Sequence, residues 1–373
     1  MTKYLAPALA ALAFHAALLA LYVAAKGGDA AVLVGVSDSR VGRSPFEAVQ
    51  VSLEKEGYDG QFFYAIARNP WRKFARSDGL DCPPLRQARI LYPVASWLLS
   101  GGDPRLLVWA MPLVNLLAIA GMAALGALLA ERQGFSPWWG FFLPLAVCAG
   151  LPALRDLSDV LSVAALCGLL TAWLLRGPWW TLALSAAAAM LARDPNVAIV
   201  LLVLAGVAWR RDARGVLGLA AALLVWGGWM VTVREMYGTW SFTAVKGDLG
   251  APGRGLWYCL HHLGDGSRRL ALLNAACLVG LLVQVGIVVR LLFGRADRVT
   301  VLVALAGAGL ALLGDVPVYN DFWGYMRIFN WLPLGCWLAC VQARWRWPAV
   351  GLSAAGLLPV AVVVQAFLKG GGL

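Results

Sequence analysis

The segment Gly57-Tyr58-Asp59-Gly60-Gln61 places one carboxylate between two glycines, immediately before Phe62-Phe63-Tyr64. Glycine lets a backbone approach another group closely, so Asp59 can be held against a partner rather than left in solvent. A carboxylate held that way can take a proton from an attacking hydroxyl, or help bind a divalent cation such as Mg or Mn. The plain alternative is a solvated Asp-Gly turn. Tyr58 and Gln61 flank the acid and can hydrogen-bond a hydroxylated substrate. Cations that suit a phosphate group through paired hydrogen bonds are Arg89, Arg193 and Arg327, with Tyr325 two residues before the last. Asp194 follows Arg193, and Asp156, Asp159, Asp315 and Asp321 are further acids whose ordinary use is helix capping. His261-His262 can donate to a phosphate or shuttle a proton, but an adjacent pair without a third ligand makes a poor metal site.

These residues must be positioned by a very apolar chain. It is 61% hydrophobic and 14% charged over 373 residues. Its apolar residues come in blocks of about 15 to 25, long enough to cross a hydrocarbon core of roughly 30 Å. Inside that core backbone polar groups must be satisfied within the segment, and the lack of strict alternation selects helices over a barrel. The reading is an all-α, polytopic membrane protein with about eleven transmembrane helices, within a range of roughly 9 to 13. The expected spans are 5–25, 104–130, 136–153, 160–175, 179–192, 196–209, 215–233, 269–290, 299–314, 325–342 and 348–368. The pieces 179–192 and 196–209, parted by Arg193-Asp194-Pro195-Asn196, are either two short helices or one broken helix. The first block reads as a retained helix rather than a cleaved signal, because no small-residue cleavage site follows it.

Charge sets the expected orientation. With the N-terminus in the cytoplasm, the cytoplasmic pieces carry 11 of the 31 Lys/Arg and 3 of the 20 Asp/Glu. Clusters such as Arg210-Arg211 and Arg344-Trp345-Arg346 then satisfy the positive-inside rule. The net charge of +11 is thus a membrane feature, and nucleic acid is not an expected partner. Asp59 falls in a long extracytoplasmic loop, 26–103, and the two histidines in a second, 234–269. The stretch Ile90 to Leu99 suits an interfacial helix, and Phe62, Phe63 and Tyr64 suit the apolar boundary. Neither loop has the apolar content of an independent soluble domain, so the chain reads as one membrane domain over 1–373. The seven cysteines show no metal spacing and read as packing residues. There is no P-loop, no Rossmann fingerprint and no His-Glu-x-x-His, which disfavours a nucleotide-driven reaction.

Gly57 to Pro70 followed by Arg89-Ile90-Leu91-Tyr92-Pro93 resembles a bacterial family of membrane proteins implicated in cell-surface glycopolymer formation. That family is in turn similar to the GT-C superfamily of glycosyltransferases. The resemblance continues through Ala192-Arg193-Asp194-Pro195 and the Asp321…Tyr325…Arg327 pattern. It implies a bacterial inner-membrane, multi-pass enzyme that moves a sugar from a polyprenyl-phosphate donor to a glycan or lipid acceptor on the extracytoplasmic face. It also implies that Asp59 is the first-loop acid, acting as base or at a metal, and it extends to Asp194. Where the family commonly carries Ala-x-Asp-Pro, this chain has Arg68-Asn69-Pro70, so a second acid at 69 is replaced by an amide. A lipid-linked glycan transporter and a non-catalytic component of a polysaccharide assembly complex are the competing readings.

Overall fold

The computed structural model describes residues 2–52, 57–243, 248–265, 268–320 and 328–368. Among these the chain is helical, with an isolated bridge between Leu249 and Gly314. The helices are α1 (Thr2–Ala25), α2 (Gly60–Arg68), α3 (Pro83–Ala88), α4 (Leu91–Ser100), α5 (Pro104–Arg132), α6 (Phe142–Ala146) and α7 (Gly150–Ala153). They continue as α8 (Asp159–Leu174), α9 (Trp179–Ala192), α10 (Val197–Trp209), α11 (Ala213–Tyr237), α12 (Arg254–His261) and α13 (Arg268–Leu291). The last are α14 (Arg298–Leu313), α15 (Val316–Tyr319), α16 (Trp331–Gln342) and α17 (Arg346–Leu368).

Five helices, α1, α5, α11, α13 and α17, are long and apolar enough to cross a membrane. Only 28% of the apolar window is buried in α1 and in α11, so their remaining leucine- and valine-rich surface has no protein cover. Uncovered apolar surface of that extent fits lipid contact. Helices α4, α8, α9, α10, α14 and α16 are apolar but shorter.

The expected span 136–153 is not a continuous helix. It is divided into a 3-10 turn over Pro137–Phe141, then α6 and α7, with Cys148 at φ 54° between them. Pro137, Pro144 and Pro152 each remove an amide donor, which breaks the i to i−4 ladder. The span expected to begin at 325 starts at Trp331 among the described residues, and positions 321–327 lie outside them.

The chain forms two compact units. The first comprises Met1–Leu18, Ile119–Leu151 and Lys246–Leu373, the second Leu19–Ala118 and Pro152–Val245. In the first unit α14 and α16 approach closely at glycine. A Cβ at Gly335 would lie 2.7 Å from the Ala304 nitrogen, and one at Gly307 would meet the Leu332 backbone. Small residues at such crossings replace the hydrophobic drive that lipid removes.

In the second unit α8 and α10 run parallel. Their starts meet where Arg193 Nη1 donates to Asp159 Oδ1 at 2.6 Å and Asn196 Nδ2 to Ser162 Oγ at 2.7 Å. Their ends meet where Arg210 Nη1 donates to the Trp173 carbonyl at 3.2 Å. The chain must therefore return along α9, so 179–192 and 196–209 are two separate helices rather than one broken helix. The turn is made by extended Arg193 (φ −157°) and a 3-10 turn over Asp194–Asn196 begun by Pro195.

The first loop is a packed body. Val34, Val36, Phe46, Phe63, Tyr64, Ile66 and Tyr92 share a core with Leu107 and Met111 of α5. Phe62, Phe63 and Tyr64 face protein interior rather than the membrane boundary expected for them. The hydroxyls of Tyr64 and Tyr92 donate to the carbonyls of Pro104 and Met111, at 3.1 and 3.0 Å, which ties the loop to α5.

Candidate functional site

Asp59 stands at the N-cap position of α2 in helical conformation and makes no side-chain cap bond. Both neighbouring glycines are required there. Gly57 has φ +71°, and a Cβ on it would lie 2.6 Å from the Ser37 nitrogen. A Cβ on Gly60 would lie 2.7 Å from the Val34 carbonyl and collide with that of Arg155. The motif is therefore wedged against the 154–157 turn, and the Asp59 side chain is only 14% exposed.

Its partner is Arg86 of α3, whose Nη2 donates to Asp59 Oδ1 at 2.8 Å. The same guanidinium grips Asp81 through Nε at 2.9 Å and Nη2 at 2.7 Å, and stacks over Phe62 at 4.6 Å. Pro83-Pro84 start α3 and so fix the direction in which Arg86 points. One cation thus holds two carboxylates, which leaves the trio with net negative charge. The sequence reading missed Arg86 and Asp81, because their five-residue spacing spans a helix start and has no periodic signature.

Arg89 caps the C-terminal end of the same short helix and faces Asp194, with Nε 3.6 Å from Oδ1. At that distance the two are an ion pair without a hydrogen bond. Both atoms are buried and have no hydrogen-bond partner among the described residues. Buried polar atoms are nearly always satisfied, so two orphans facing each other in one place call for a ligand or water. Next to them Arg193 and Asp159 form a short, buried pair. Asp194 and Asp159 are thus held by arginines, with no side-chain capping bond at either helix start.

Asp156 is fully buried in the turn before α8, at φ 49°, and neither carboxylate oxygen has a hydrogen-bond partner among the described residues. Burial pushes its carboxyl well above the usual carboxylate range. Tyr92 offsets part of that effect, though its hydroxyl already donates to the Met111 carbonyl and accepts from Asn115 Nδ2 at 3.1 Å. Arg155 donates to the Tyr22 hydroxyl at 3.0 Å and lies over the rings of Tyr22 and Tyr58.

The other residues singled out from sequence have different surroundings. Tyr58 is half-buried against Arg155, and its amide donates to the Gly35 carbonyl at 2.7 Å. Gln61 is buried, and its Oε1 accepts from the Ser37 amide and from Arg40 Nη1 at 3.4 and 3.3 Å, so it ties the loop together. His261 and His262 belong to the first unit and are exposed. Each donates from Nδ1 to the carbonyl four residues earlier, at 3.0 and 2.9 Å, and their rings pack on Trp257 and Tyr258 with centroids 4.0 Å apart. Asp315, also in the first unit, caps α15 and pairs with Arg254 at 3.3 Å. Tyr325 and Arg327 lie outside the described residues.

Among the described residues no three His, Cys, Asp or Glu side chains converge as metal ligands. Among the described residues the Arg86 guanidinium fills the place between Asp59 and Asp81. All seven cysteines are free thiols, six of them buried. No protein-family model, no curated protein and no solved structure matches this chain.

Proposed function

We propose that the chain is a GT-C-like glycosyltransferase that moves a sugar from a polyprenyl-phosphate donor to a glycan or lipid acceptor. In this reading it lies in a bacterial plasma membrane with its N-terminus in the cytoplasm and about eleven crossings. The observation that carries the reading is the Arg89–Asp194 pair, ionic but not hydrogen-bonded, three residues along α3 from the arginine that holds Asp59. A phosphate oxygen that displaced the Asp194 carboxylate would give Arg89 Nε the acceptor it lacks.

The reaction is a single displacement. The acceptor hydroxyl oxygen bonds to the anomeric carbon while the bond from that carbon to the phosphate oxygen breaks. The hydroxyl proton passes to Asp59, and the electron pair of the broken bond stays on the lipid phosphate, which Arg89 stabilises. One displacement inverts the anomeric configuration. Arg86 fixes the direction of the Asp59 carboxylate, and Arg193 with Asp159 supports the backbone that presents Asp194.

The test is reconstituted protein supplied with a labelled polyprenyl-phosphate sugar. Asp59→Asn should lower transfer by about 10²- to 10⁴-fold while the protein stays folded; full turnover by the folded variant would remove Asp59 from the chemistry. A transport reading draws on Asp156, since a fully buried carboxyl suits proton-linked movement. Movement of the lipid across the bilayer without bond cleavage would favour it.

A further inference from the structure

At the other end of the parallel pair α8 and α10, away from Arg193 and Asp159, the second unit holds a cavity of about 320 Å³. Trp173, Arg176, Leu182, Val207, Arg210 and Asp212 line it. Arg210 lies flat on the Trp173 indole, 3.3 Å from the ring centre. Asp212 is committed to the start of α11, where its Oδ1 accepts from the Gly215 amide at 3.0 Å. Two arginines, Arg176 and Arg210, thus line the cavity with a single acid.

The helix ends here put an arginine in the left-handed position, as Arg344 also does at the end of α16. Gly177 N donates to the Ala172 carbonyl at 2.8 Å and Asp212 N to that of Val207 at 3.2 Å, so α8 and α10 both close in a Schellman motif. The residue that must turn left-handed is Arg176 (φ 51°) in one and Arg211 (φ 55°) in the other. Glycine is the ordinary occupant of that position, and a side chain there is strained. Helix C-termini favour a cation, but a lysine or arginine elsewhere in the last turn would supply that without strain. Around the cavity Trp179, Trp180 and Trp209 are exposed, Trp209 at 89%. Indoles in that setting mark the headgroup zone of a bilayer.

We propose that this cavity binds the phosphodiester of an anionic phospholipid. Arg176 and Arg210 hold the phosphate above a buried floor of Leu182, Val207 and Trp173, and the exposed indoles at the cavity's edge meet the glycerol and the first acyl carbons. Guanidinium–phosphate pairing supplies the polar contact, and the indoles select a lipid over a soluble phosphate.

The experiment uses the full chain in mixed phosphatidylcholine–phosphatidylglycerol nanodiscs, with co-released lipid counted by native mass spectrometry. Wild type should retain phosphatidylglycerol in preference to phosphatidylcholine. Arg176→Gly removes the cation and places glycine in the left-handed position, so its melting temperature should hold or rise while the preference falls about tenfold. Arg176→Lys should restore part of it. Equal retention of both lipids by wild type would overturn the proposal, as would an undiminished preference in Arg176→Gly combined with Arg210→Gln. Heat protection by inorganic phosphate matching that by phosphatidylglycerol would overturn the lipid assignment in favour of a soluble anion.

Discussion

The two long loops, 26–103 and 234–269, have similar composition: aromatics, glycines and a few charged residues between apolar helices. Their described residues end up very differently. The first folds around Phe46, Phe63, Tyr64 and Tyr92, and that core holds Asp59 and Arg86 at low exposure. In the second, Phe242 and Trp257 are exposed and the two histidines stack on their own helix. Residue type alone thus confers little. Chemistry becomes available where a core holds a charge away from water against a fixed partner, since low dielectric strengthens the interaction and packing removes its reorganisation.

Substitutions can break or sharpen that contrast. The largest effect on stability is expected for Arg86→Met, which leaves Asp59 and Asp81 facing each other without their shared cation. The cost should be about 3 kcal/mol in denaturant or thermal unfolding, with loss of transfer in the assay above; a smaller change would show that the carboxylates relax into water. Gly60→Ala comes next. Its methyl meets the carbonyls of Val34 and Arg155, and a loss of about 1–3 kcal/mol is expected.

Asp156→Asn should act in the opposite direction. A carboxyl raised in the folded state favours folding fully only below its unfolded pKa of about 3.9, and that contribution is lost as pH rises through the folded value. The neutral amide escapes the loss, so the variant should be more stable than wild type near pH 7, by on the order of 1–3 kcal/mol. The gain should vanish toward pH 4; a gain independent of pH would mean that Asp156 does not titrate in this range. The smallest effect belongs to His261→Ala with His262→Ala. Exposed side chains bonded within their own helix should give less than about 0.5 kcal/mol in stability and leave transfer intact. A large loss of transfer would move the chemistry to the second loop.

Some of this was legible in the chain. Long apolar blocks required α1, α5, α11, α13 and α17, because helix length and hydropathy are local properties. Pro195 marked a break between two apolar stretches, but only the meeting of Arg193 with Asp159 and of Arg210 with Trp173 established two helices rather than one bent helix. The prolines at 137, 144 and 152 were also in view, yet hydropathy alone read through them as a span.

For the site, sequence by itself determined that Asp59 sits between two glycines that permit close approach, and the backbone contacts of Gly57 and Gly60 use that permission. It could not pair the charges. Arg86 and Arg89 are three residues apart and chemically identical, and the fold alone assigns the first to Asp59 and the second to Asp194. Likewise Asp156 and Asp159 read alike, but one is buried without a cation and the other is locked to Arg193. Apolar periodicity is written in neighbouring residues. Ion pairing depends on which distant segments the core brings within a few ångströms, and that is decided only when the whole chain has packed.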